Sequence, residues 1–217
     1  MSSPAHLTTL HWVYYQDDFK ASNNAFRQAA REHGLLGPNS EHACSTGPQM
    51  EDAIRNIATE ETEPYILVIS GHGIHDPDDD DWNLRGNLRH ATAVYPRVEN
   101  PPALLVLSSC SSADATLRAP GGFWSQTLPA GTPVIGVEGE LRKGKKLDGR
   151  WAWLGWSALY EGIVPDLCIP ASSSITLAVA QRIVESTLER DRDAGNTDVM
   201  PWLAFAVEDL TADSAAA

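Results

Sequence analysis

The sequence predicts an α/β fold: a mostly parallel six-stranded sheet flanked by helices. Three observations predict it. Two short runs, 65–69 (YILVI) and 103–107 (ALLVL), are apolar throughout and lack polar alternation, so both read as strands buried on both faces. Strand-like and helix-like segments alternate along the first half of the chain, the order of a doubly wound sheet with right-handed crossovers. The length of 217 residues, with 42% hydrophobic and 21% charged residues, suits one sizeable α/β domain, and two would be cramped.

Residues 7–15 (LTTLHWVYY) are rich in aromatic and β-branched types and read as the first strand, ended by Gln16, Asp17 and Asp18. Ser22 or Asn23 is placed to cap a helix with Ala25, Phe26, Ala29 and Ala30 on one face, closed by Gly34. A short strand is expected near 42–44. Thr46 and Pro48 open a second helix with Met50, Ile54, Ile57 and Ala58 at helical spacing, and Pro64 stops it before the strand at 65–69. Residues 74–102 show no clear periodicity and read as a long functional or mobile connection. After the strand at 103–107, Pro120-Gly121-Gly122 leads into a short helix around 123–128, and 132–138 is a fifth strand. Residues 141–150 hold the only basic cluster and read as an exposed loop. Helices are expected at 151–160 and 174–190, and a final strand at 202–207, with a frayed Ala-rich tail. No internal repeat is visible, and one domain over 1–217 is expected.

The formal net charge of −13 argues against nucleic acid as a partner, since phosphate binding needs clustered Lys and Arg. An acidic surface suits basic substrates, or it serves only to keep the protein soluble. The N-terminus has no signal pattern and no run is long enough to span a bilayer, so a cytoplasmic protein without membrane contact is expected. Three widely spaced cysteines, without a Cys-x-x-Cys pair, fit a reducing compartment and neither a disulfide framework nor a structural zinc site.

The two buried strands end in chemistry-bearing residues: Ser70-Gly71-His72-Gly73 follows one, and Ser108-Ser109-Cys110-Ser111-Ser112 the other. Ligands of open parallel sheets bind outside the carboxyl ends of the strands, so His72 and Cys110 are expected side by side at one rim. A cysteine beside a histidine is the minimal set for a thiolate nucleophile with a general acid/base. Gly71 and Gly73 let the backbone approach a substrate closely, and an amide there can point at a developing oxyanion. Cys110 is expected at a turn into a helix, whose N-terminal dipole would favour the thiolate. The bland alternatives are a satisfied loop histidine and a small core thiol. Cys44 and Cys168 lack such neighbours and read as structural. His75, three residues after His72, has no evident third partner for zinc.

These motifs resemble the caspase fold, and are most similar to bacterial caspase-like peptidases of the CHAT type, relatives of separase, metacaspase and legumain. The marks are 69–73 (ISGHG), 107–112 (LSSCSS) and 133–137 (PVIGV), with 158–162 (ALYEG) and 202–205 (WLAF) in the C-terminal half. The resemblance runs over about residues 7–207 and implies a caspase-like three-layer sandwich. It implies His72 as general acid/base, Cys110 as nucleophile, and the backbone N–H groups of Gly73 and Cys110 as the oxyanion hole. It further implies a regulated bacterial defence or cell-death protease cutting a protein substrate, with an activating partner or sensor protein supplied from elsewhere. Many relatives carry an acidic or amide residue beside the cysteine motif, where this chain has only serines.

Asp17 and Asp18, in a position from which caspase relatives bind P1, and Glu138 and Glu140, at the end of the fifth strand, are the candidate substrate-binding residues. A carboxylate in that pocket would select Arg or Lys at P1. Solvated loop carboxylates are the competing reading. If P1 is basic, Arg142, Lys143, Lys145, Lys146 and Arg150 are candidate self-cleavage sites. The acidic run 76–81 resembles the calcium dependence of many metacaspases, but it lacks the spaced ligands and terminal Glu of a calcium loop. No cofactor and no metal is expected. The other functional readings are a catalytically silent caspase-like binding or adaptor module, and an acyl transferase or small-molecule hydrolase using the same thiol.

Overall fold

Strands buried on both faces must lie inside a sheet, and that requirement sets the topology. The computed structural model describes residues 6–16, 20–76, 81–85, 92–138, 146–147, 150–151, 162–195 and 202–208. Its main sheet has six strands: β1 (Thr9–Tyr15), β2 (Glu41–Cys44), β3 (Tyr65–Ser70), β7 (Leu104–Ser108), β8 (Pro133–Val137) and β11 (Trp202–Ala206). Their order is β11-β8-β7-β3-β1-β2. Five are parallel, and only β11 runs antiparallel, against β8. The result is the mostly parallel α/β sandwich that the sequence predicts.

The apolar runs take the centre. Every residue of β3 and of β7 is buried, and each Ile, Leu or Val so buried stabilises the fold by about 1.5–3 kcal/mol. Alternate residues feed two cores. On one face Ile66, Val68, Leu104 and Val106 pack with Phe26 and Ala30 of α1 (Lys20–Glu32) and with Ala180 and Ile183 of α5 (Leu177–Asp193). On the other face Leu67, Ile69, Leu105 and Leu107 meet Met50, Ile54 and Ile57 of α2 (Gly47–Glu60). Leu117 of α3 (Ala115–Arg118) and Trp124 of α4 (Phe123–Thr127) join this second core.

Local signals hold where they are chemically specific. Thr46 caps α2 in a capping box with Gln49, as Thr46 and Pro48 announce. Gly34 takes φ 71° just past α1. Ser22 and Asn23, read as caps, are instead buried in the first turns of α1, and the Asn23 amide reaches back toward the Tyr15 carbonyl at 3.4 Å.

The stretch 74–102, read as a long connection without clear periodicity, contributes most of a second, antiparallel sheet of β4 (His72–Asp76), β5 (Asp81–Arg85) and β6 (Thr92–Val94). It rests on α2, where the Val94 N–H donates to Glu51 Oε1 at 3.1 Å. Residues 77–80 of the acidic run lie outside the described residues. So do 141–145 and 148–149 of the basic stretch, whose Lys146–Leu147 (β9) and Arg150–Trp151 (β10) pair antiparallel. Trp151 therefore begins no helix, and 152–161 are outside the description. A 3-10 turn, Val164–Leu167, precedes α5, and Arg190 of that helix ties it down through Asp166 and the Gly162 carbonyl. Among the described residues no helix is long and apolar enough to cross a membrane.

Candidate active site

Parallel register brings the two motifs together. Ile66 faces Leu104 and the pairing continues without slippage to Ser70 opposite Ser108. Two residues beyond each end stand His72 and Cys110, both half-buried. The chain leaves β3 through the buried Gly71 and enters β4 at His72 itself, so the histidine is held by a strand rather than by a loose loop.

The contact between the two segments is backbone on backbone. A Cβ placed on Gly73 would fall 1.9 Å from the Cys110 carbonyl oxygen, 2.8 Å from its carbon and 2.9 Å from its nitrogen. No side chain fits there, which is the physical reason for glycine at 73. The same contact puts the Gly73 and Cys110 amides on touching segments, as an oxyanion hole requires.

Cys110 sits in a tight turn after β7. Ser111 adopts φ 54°, alone among the described non-glycine residues in being left-handed, at a cost of about 1–2 kcal/mol. Ser112 anchors the turn: its fully buried hydroxyl donates to the Ser109 carbonyl at 2.8 Å and accepts the Val137 N–H at 2.9 Å. Trp124 Nε1 donates to the Ser112 carbonyl at 2.8 Å, and the Ala113 N–H donates to Val137 O at 3.0 Å. The hydroxyls of Ser108 and Ser109 are buried with no hydrogen-bond partner among the described residues. Such an orphan typically costs about 1–3 kcal/mol.

The expected helix dipole is absent from the thiol. The next helix, α3, starts only at Ala115, with Asp114 as its N-cap. Cys110 packs against the core on the α1 and α5 face, a setting that by itself disfavours the thiolate, so any activation would have to come from His72 and local amides.

Of the four substrate-binding candidates, Asp17, Asp18 and Glu140 lie outside the described residues. Glu138 does follow β8 at the same rim as His72 and Cys110. Its side chain is 59% exposed and lies 3.7 Å from Arg118, whose Nε donates to the Ala113 carbonyl. Arg118, Ser112, Trp124 and Gly136 were not read as site residues. Only Gly136 carries a visible signal, since a lone glycine inside a strand marks close approach of another chain segment. A Cβ on it would meet Ser112 Oγ at 2.9 Å.

The remaining candidates separate from His72 and Cys110. Burial pushes the Cys44 thiol up to about 11, and burial with the nearby Asp166 raises that of Cys168. Neither is poised to react. His11, buried on β1, links His42 Nε2 at 3.2 Å to Glu61 Oε1 at 2.8 Å, well away from the rim. No group of three or more metal-ligating side chains stands together among the described residues. A cleft lined by Arg97, Glu99, Gln126, Pro129 and Glu208 opens at the far end of β8, opposite the end where parallel sheets bind ligands.

Searched against protein-family models and against curated proteins, the sequence finds no match in either.

Proposed function

We propose that the chain is a caspase-like cysteine endopeptidase acting through a His72–Cys110 dyad. The observation that carries the reading is the backbone contact of Gly73 with Cys110 at the carboxyl ends of two register-matched buried strands. It accounts for the glycine after the histidine, and it supports the reading because the same contact sets a cysteine and a histidine at one rim of the sheet.

In the proposed reaction the Cys110 thiol gives its proton to the His72 imidazole, and the thiolate attacks the scissile carbonyl carbon. The Gly73 and Cys110 amides stabilise the oxyanion, a contribution of roughly 3 kcal/mol per donor. As the C–N bond breaks, the imidazolium protonates the leaving amine and an acyl-enzyme remains. His72 then takes a proton from water, whose oxygen attacks the thioester; the intermediate collapses by breaking the C–S bond, and the His72 imidazolium returns the proton to the departing sulfur as the acid product leaves.

Glu138 supports a basic P1 residue, with Arg118 as its counter-ion in the absence of substrate. By the resemblance, the enzyme would serve a regulated bacterial defence or cell-death pathway, cutting one dedicated protein when a partner or sensor activates it. The test pairs two reagents with two variants. Iodoacetamide and a peptidyl-arginine chloromethylketone are expected to label Cys110 faster in the native chain than in the denatured one, and His72→Ala to abolish that advantage. New N-termini in a proteome treated with wild type but not with Cys110→Ala would identify the substrate. Native labelling no faster than denatured labelling would overturn the dyad and favour the adaptor reading.

A further inference from the structure

We infer that Ser112 is a positioning residue for the Cys110 thiol, acting through the backbone of the turn and through the end of β8. The inference rests on the proposed dyad and assigns it a part that the His-Cys motif does not contain.

The turn from Ser109 to Ala113 has to do something unfavourable. It must hold Ser111 in the left-handed region and present Cys110 to the segment around Gly73. Left-handed backbone at a non-glycine residue persists only where the surroundings over-determine it. Ser112 supplies those surroundings from one side chain and one carbonyl. Its hydroxyl spans the turn, donating to the Ser109 carbonyl just before the cysteine and accepting from the Val137 N–H on the neighbouring strand. Its carbonyl is held by the Trp124 indole. Both flanks of Cys110 are thus tied to β8 and α4, whose Val137 and Trp124 are buried in the two cores.

The neighbouring strand is shaped to receive this serine. Gly136 leaves the space that a Cβ would take at 2.9 Å from Ser112 Oγ and 3.0 Å from the Ala113 methyl. The Val137 carbonyl completes a two-point clamp through Ala113. With full burial, the hydroxyl has no water to fall back on. Removing it leaves a buried carbonyl and a buried N–H without this partner, and the register between Cys110 and His72 loosens.

The experiment reads the pH dependence of Cys110 alkylation by iodoacetamide, site by site by mass spectrometry, on the full chain. In wild type the rate is expected to level off at a pH below the ~8.5 of an ordinary thiol. In Ser112→Ala the midpoint is expected to move up toward that value, and the rate at neutral pH to fall about tenfold or more. Gly136→Ala, which keeps the serine but crowds it, and Trp124→Phe, which removes the indole donor, are expected to move the midpoint in the same direction. A serine that only stabilised the fold would lower the melting temperature and leave the midpoint in place. A folded Ser112→Ala with the wild-type midpoint overturns the inference. If that variant does not fold, wild-type midpoints in both Gly136→Ala and Trp124→Phe overturn it. An ordinary midpoint in wild type itself refutes the dyad instead, so the two failures are distinguishable.

Discussion

Replacing Gly73 by alanine tests the proposed dyad where the two segments approach most closely. The added Cβ would stand 1.9 Å from the Cys110 carbonyl oxygen, whereas real Cβ contacts are essentially never closer than 3.0 Å. One segment must therefore retreat by at least the difference, about 1.1 Å. Neither has slack: β3 and β7 are buried along their whole length and paired residue by residue up to Ser70 and Ser108. A misplacement of about 1 Å in a catalytic constellation costs about a hundredfold, or about 2.7 kcal/mol of transition-state stabilisation. Overpacking adds about 1–3 kcal/mol of destabilisation, offset in part by the 0.4–1 kcal/mol that a Gly→Ala change gains by restricting the unfolded chain. The assay is Cys110 alkylation and peptidyl-arginine hydrolysis at neutral pH, with the melting temperature recorded beside them. Rates within threefold of wild type in a folded protein would refute the claimed contact and, with it, the role of Gly73 in the oxyanion hole.

Three further outcomes follow from the same structure. If Glu138 selects a basic P1 in competition with Arg118, Arg118→Ala will raise kcat/KM for arginyl peptides severalfold and Glu138→Gln will lower it; no change in either would move the selectivity to Asp17, Asp18 or Glu140. Burial, and secondarily the neighbouring His11, hold the His42 imidazole below its ordinary value, against a smaller opposing effect of Glu60. The unfolded chain then binds more protons, so denaturation midpoints measured between pH 8 and 5 should decline as the pH falls through and below the ordinary histidine value of ~6.5. His42→Gln should flatten that decline, and an unchanged slope would assign it to other groups. Cys44, with its thiol pushed up to about 11 and the residue 3% exposed, should resist iodoacetamide at pH 8 until the chain unfolds, and labelling of native Cys44 at the Cys110 rate would contradict its placement in the core.

The central strands, and the placing of His72 and Cys110 beyond their ends, were legible in the chain because their signals are local. A run such as YILVI needs burial on both faces wherever it goes, and two such runs joined by a crossover end at the same rim. Thr46 with Pro48, and Gly34, likewise carry their structural meaning within a few residues. The antiparallel sheet of β4, β5 and β6 was not legible, since its strands are short and are defined by one another and by α2. Nor was the setting of the cysteine. A strand followed by Ser-Ser-Cys-Ser-Ser suggested a thiol at a helix start, yet the helix begins five residues later.

What the amino-acid sequence determined by itself is the pair of buried strands and the residues that stand just beyond their ends, His72 and Gly73 after one and Cys110 after the other. Tertiary structure alone decided how the thiol is held. The Ser112 hydroxyl finds its donor in Val137, 25 residues along the chain, and Glu138 finds its counter-ion in Arg118. Hydrogen bonds and ion pairs of that kind depend on ångström-scale approach between separate elements, and no periodicity or composition encodes such distances.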